Sequence, residues 1–145
     1  MNALRERLPL FIAALWWGGS LMLAFVAVPV LFAHFGNPPV AGPAAAKLFT
    51  VVAWVTVLSG AALLLMGRSD REGPIGLGLP FILLAMLCML VQEYGVSYKI
   101  LTARSTGASL ALWHGVGSAL IVVQWLCATR VLWLLAGRPV RASAD

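Results

Sequence analysis

Residues 111–126 read ALWHGVGSALIVVQWL. They sit inside an apolar run that extends over about 108–136. That run exceeds the ~20 residues a helix needs to cross the hydrocarbon of a bilayer. It lacks the apolar–polar alternation of a barrel strand. Helix is then the conformation that satisfies every backbone N–H and C=O without water. Against this apolar background His114, Ser118 and Gln124 stand out. Polar groups at bilayer depth are costly and call for partners.

Three more runs of the same kind precede it, at about 8–35, 44–67 and 75–98. Composition agrees. The 145-residue chain is 61% hydrophobic and 10% charged, against roughly 25% charged in soluble domains. The expectation is an all-α integral membrane protein, a single domain over 1–145 made of four transmembrane helices. Its surroundings are the lipid bilayer. Arg5 and Arg7 precede the first run as they would in a signal peptide. The run is far longer than the ~7–15 residues of a signal-peptide core, so it reads as an uncleaved first helix.

Between the runs lie short connections: 36–43 (GNPPVAGP), 68–74 (RSDREGP) and 99–107 (KILTARSTG). Short loops make neighbouring helices antiparallel and give an up-down four-helix bundle. Arg5, Arg7, Arg68, Arg71, Arg138 and Arg141 then fall at one end, with Arg130 able to reach it. Lys47, Lys99 and Arg104 fall at the other. The positive-inside rule puts both termini of this multi-pass protein in the cytoplasm. The net charge of +5 is therefore topological, and no nucleic-acid partner is expected.

Within the helices, Pro29 should kink the first or end its regular bonding. Pro43 and Pro74 stand just ahead of the second and third, where a missing N–H costs little. Close helix packing in lipid relies on small residues. Gly107, Ala111, Gly115 and Ala119 supply them at spacing four, and Gly18 and Ser20 do so in the first helix. These read as backbone-contact faces. Trp16, Trp17, Trp54 and Trp125 read as bundle filling and Trp133 as an interfacial residue. Cys88 and Cys127 read as small hydrophobes, since neither disulfide nor zinc spacing is present.

Antiparallel topology would gather His34, Glu93 and His114 at one end of the bundle, with Ser118 one turn beyond His114 and Lys47 nearby. Two histidines and a carboxylate could bind a divalent metal, relay protons, or give a haem two axial ligands. The plainer alternatives are an interfacial His34, a Glu93 paired with Lys47 or Lys99, and a His114 satisfied by another helix. No phosphate loop, nucleophile elbow or HExxH is present, and Asp70 and Asp145 lie at the opposite end from the histidines. No enzyme activity and no cofactor are expected, and the identity of any metal is left open.

Several motifs act together: WWGGS, PVLF, an AG turn before KLF, and LWHGVGS. In that order and spacing they resemble the small four-helix proteins similar to transmembrane protein 205. In particular they resemble the bacterial branch known as a domain of unknown function, DUF4149. The resemblance spans nearly the whole chain and matches Gly18, Ser20, Pro29, Phe32, Gly42, Phe49, His114, Gly115 and Ser118. It implies no reaction. The residues before His-Gly depart from the family pattern, which more often has a Phe and a basic residue there. The resulting expectation is a non-enzymatic interaction or assembly protein, partnered by a second copy or by another membrane protein. The alternatives are small-solute, ion or metal binding or transport using His114 and Glu93, and a haem-bearing redox protein.

Overall fold

The computed structural model describes residues 2–68, 72–107 and 109–137. Arg71, Arg138, Arg141, Asp70 and Asp145, used above in the charge reading, lie outside the described residues. Among the described residues all regular structure is helical: α1 (Asn2–Ser20), a π segment (Leu21–Ala27), α2 (Val28–Phe35), α3 (Pro38–Met66), α4 (Pro74–Val91), a second π segment (Gln92–Val96), α5 (Ser97–Thr106) and α6 (Leu110–Ala136). Four continuous stretches are long and apolar enough to cross a membrane: Glu6–Phe35, Pro39–Met66, Pro74–Ala103 and Leu110–Ala136. The chain is a multi-pass membrane protein.

Proline and glycine decide where these spans begin and end. The first span stays helical through Pro29, but its bonding pattern changes just ahead of it. The Val28 N–H reaches back five residues to the Leu23 carbonyl. Proline offers no N–H to the carbonyl four residues back, and the wider π turn absorbs the mismatch. Gly36 then ends α2 in the left-handed region, at φ +58°, donating its N–H to Phe32 O at 3.0 Å.

Three boundaries differ from the sequence expectation, the first being that α1 starts at Asn2 rather than near residue 8. The second helix starts at Pro38 rather than near residue 44, so the turn shrinks to Gly36 and Asn37. Pro38 and Pro39 occupy the first helical positions, where no N–H is needed, and Pro43 is carried inside the helix. Asn37 is extended, as a residue before proline must be. The helix that carries the third span runs past residue 98 to Thr106. The polar stretch after it contains no breaker before Gly107, which caps α5 at φ +70°. Loss of apolar character marks the end of the hydrocarbon, while the helix stops only at the glycine. Ser109 then caps α6 by accepting from the Leu112 N–H at 3.3 Å.

The first span packs on the second and fourth, and the third span also packs on both. Two apolar clusters form the core. The larger gathers Trp16, Leu63, Ile82, Cys127, Ala128, Val131 and neighbours. The smaller gathers Ala24, Val52, Ala53, Met89 and Ile121. Closest approach occurs at glycines. A Cβ on Gly60 would stand 2.8 Å from Met86 Sδ, and one on Gly67 would run into Ile75. Large apolar side chains also point outward on every span, Leu15, Leu58, Leu101 and Trp133 among them. Lipid is the solvent for such a surface.

Candidate functional site

The polar side chains inside the spans fall into three groups. The deepest lies at the centre of the bundle. Trp16 in α1 donates its indole N–H to Thr56 Oγ1 in α3 at 3.1 Å. Gln124 in α6 donates its amide to the same Thr56 oxygen at 3.1 Å and to Ser20 Oγ at 3.2 Å. All four residues are at most 1% exposed. Three spans are thereby tied together at one level. The knot leaves one edge open, because Gln124 Oε1 is buried and has no partner. Turning the amide over would exchange which of its two atoms is left over, not remove the deficit.

Nearer the end where α3 begins lies a second group, built on the second π segment. Gln92 is 3% exposed, and its Oε1 is likewise without a partner. Its amide lies against Gly117 of α6, where a Cβ would stand 3.1 Å from Oε1. Gly117 thus makes the room that Gln92 occupies. The next residue, Glu93, is half-buried and accepts from Thr50 Oγ1 of α3 at 2.8 Å. A side mesh of aromatic residues sits against α6. Trp17 stacks on Trp125 with centroids 5.8 Å apart and donates to Thr129 Oγ1 at 2.9 Å. Phe25 meets Trp125 edge-on. The buried Trp125 Nε1 has no partner.

Outside the bundle lies the third group. His114, in the second turn of α6, is exposed, and so are Ala111, Gly115, Ser118 and Ala119. Nothing lies within 4 Å of where a Gly115 Cβ would be. Among the described residues His114 makes no hydrogen bond. The chain therefore does not pack on itself along this stripe. The inward face of α6 is instead Gly117, Ile121, Gln124, Cys127, Ala128, Val131 and Leu135. Gly107 lies outside α6 altogether, as the cap of α5.

The remaining expected residues separate. His34 is exposed at the end of α2, edge-on to Phe35. Glu93 meets Thr50, and His34 and His114 both face out of the bundle. Among the described residues no group of three His, Cys, Asp or Glu side chains stands where it could hold a metal ion. Ser20 is a hydrogen-bonding member of the central knot, whereas Gly18 is half-exposed with open space beside it. Trp16 fills the core, but Trp54 faces outward. Gln92, which the sequence shows only as a polar neighbour of Glu93, is the buried member of this pair. The available signal was a buried-length amide spaced for α4's inward face, on the line Ala85, Cys88, Met89, Gln92.

A family model described as "Domain of unknown function (DUF4149)" matches residues 11–109. No curated protein and no solved structure matches the chain.

Proposed function

The chain belongs to the DUF4149 family, and we propose that it is a non-enzymatic assembly protein of the bacterial inner membrane. Its working surface is the outward face of α6. One observation carries this reading: His114 and Ser118 are exposed on a span, with no partner among the described residues, beside an open strip of Ala111, Gly115 and Ala119. His114 lies about 6 Å and Ser118 about 12 Å along the axis from Leu110, at 1.5 Å per residue. Both fall inside the span. A polar side chain facing hydrocarbon is unfavourable, and small residues let a second backbone come close enough to relieve it. A helix from another membrane-embedded chain, a second copy or a different protein, supplies both needs.

The arrangement is an up-down bundle of one domain with both termini cytoplasmic. Contacts between spans support it by pairing in reverse sequence order. Gly60 meets Met86 while Gly67 meets Ile75; Gly78 meets Val131 while Gly117 meets Gln92. The Arg-rich end of the sequence supports the orientation.

Assembly is preferred to solute or ion transport because the polar interior stops halfway. Beyond the Gln124 knot, Leu63, Ile75, Ile82, Val131 and Leu135 close the bundle with apolar side chains. Mass measurement of the protein in lipid nanodiscs tests the proposal. The expected result is a species larger than one chain that falls to one chain in Gly115→Leu. A wild-type protein that is monomeric and carries no other protein out of the membrane would refute it.

A further inference from the structure

Away from the α6 face lies a cleft of about 780 Å³ between the end of α3 and the start of α4. It is lined by Leu64, Gly67, Arg68, Ile75, Gly76 and Leu79. Its two ends differ in chemistry. Leu64 and Leu79 lie within the second and third spans, about 3 Å and about 8 Å in from their ends at 1.5 Å per residue. Arg68 lies just past the end of the second span, which closes at Met66. It is exposed, and among the described residues it makes no ion pair or hydrogen bond. Gly67 and Gly76 contribute no side chains to its walls. The cleft is therefore apolar where hydrocarbon is and cationic where headgroups are.

We propose that this cleft seats one anionic phospholipid. An acyl chain lies along Leu64 and Leu79, and the headgroup phosphate meets the Arg68 guanidinium. Both parts of the ligand are needed by both parts of the site. A zwitterionic lipid fills the apolar part, but its own cation opposes the contact with Arg68. A free phosphate satisfies Arg68 and leaves the apolar walls uncovered. Guanidinium matches phosphate geometry through paired N–H donors, and basic pockets between spans recurrently hold acidic headgroups.

Native mass spectrometry of the detergent-purified protein tests this, with phosphatidylglycerol, phosphatidylcholine or inorganic phosphate titrated in. The expected result is retention of phosphatidylglycerol in preference to phosphatidylcholine. Arg68→Gln should cut that preference about fivefold while leaving phosphatidylcholine binding unchanged. Arg68 is exposed beyond the span, so this variant keeps the fold. Gly76→Leu, which fills the cleft, should lower retention of both lipids. Equal binding of the two lipids by the wild type would overturn the proposal. So would a phosphatidylglycerol preference that survives Arg68→Gln, or full displacement of the lipid by inorganic phosphate.

Discussion

Thr56 is the residue on which the centre of the bundle turns, and Thr56→Val is the perturbation that shows it. The substitution keeps shape and removes one oxygen. That oxygen accepts from two donors, Trp16 Nε1 and Gln124 Nε2, each at 3.1 Å. Both donors are fully buried, so each is left without a partner or must take one from elsewhere. Hydrogen bonds between spans average about 0.6 kcal/mol and reach about 1.7 kcal/mol. Two of them in a dry interior put the loss at about 1–3 kcal/mol. Gln124→Leu provides the internal contrast. It also deletes two hydrogen bonds, but it removes the unpartnered Gln124 Oε1 with them. Thr56 still accepts from Trp16. Ser20 Oγ loses its donor, but a helical serine hydroxyl can turn to a carbonyl of its own helix, so this variant should stay within about 1 kcal/mol of wild type. Reversible unfolding in mixed micelles, or steric trapping in bicelles, gives both values. The reasoning fails if Gln124→Leu costs more than Thr56→Val, or if Thr56→Val is indistinguishable from wild type.

Other expectations follow from single contacts. Gly67→Ala places a methyl against Ile75, a stiff β-branched neighbour; unfolding measurements should show a loss of about 1–3 kcal/mol. Gly117→Ala presses on the Gln92 amide and should destabilise less in a Gln92→Ala background, a coupling that a double-mutant cycle reads directly. Cys88 and Cys127 are both buried and free, so a maleimide should label neither in intact membranes and both after unfolding. His114→Ala removes an exposed side chain with no partner among the described residues. It should leave the stability of the isolated chain within about 0.5 kcal/mol while weakening assembly.

How much of this was readable beforehand depended on the kind of signal. The four spans were legible because hydrocarbon thickness and backbone satisfaction permit nothing else for such runs. Their ends were less so. Pro38 and Pro39 look like a turn in a list of residues but start α3, and the polar residues 99–106 look like a loop but stay helical. The π segments follow from bonding across one turn, which composition does not encode. The small-residue stripe on α6 was visible as a face. Spacing of four, however, defines a face without saying what it meets. The inward side of α6 was set by Gly117 and Gln124, about half a turn around the helix from Gly115. Gln124 was legible as a bridge between helices, since an amide that deep has little else to do. Its partners Ser20, Thr56 and Trp16 came from two other spans and were not legible from α6 alone.

The claim that the outward face of α6 meets another helix is tested most directly by a photo-reactive amino acid placed at Ser118 and irradiated in native membranes. Leu15, 70% exposed on α1, is the control position. The account predicts a discrete adduct from position 118, at the mass of two chains or of one chain plus a membrane protein. That adduct should be lost when Gly115 is also changed to Leu, with at most a trace from position 15. Labelling of lipid alone from position 118, at the level seen from position 15, would contradict it.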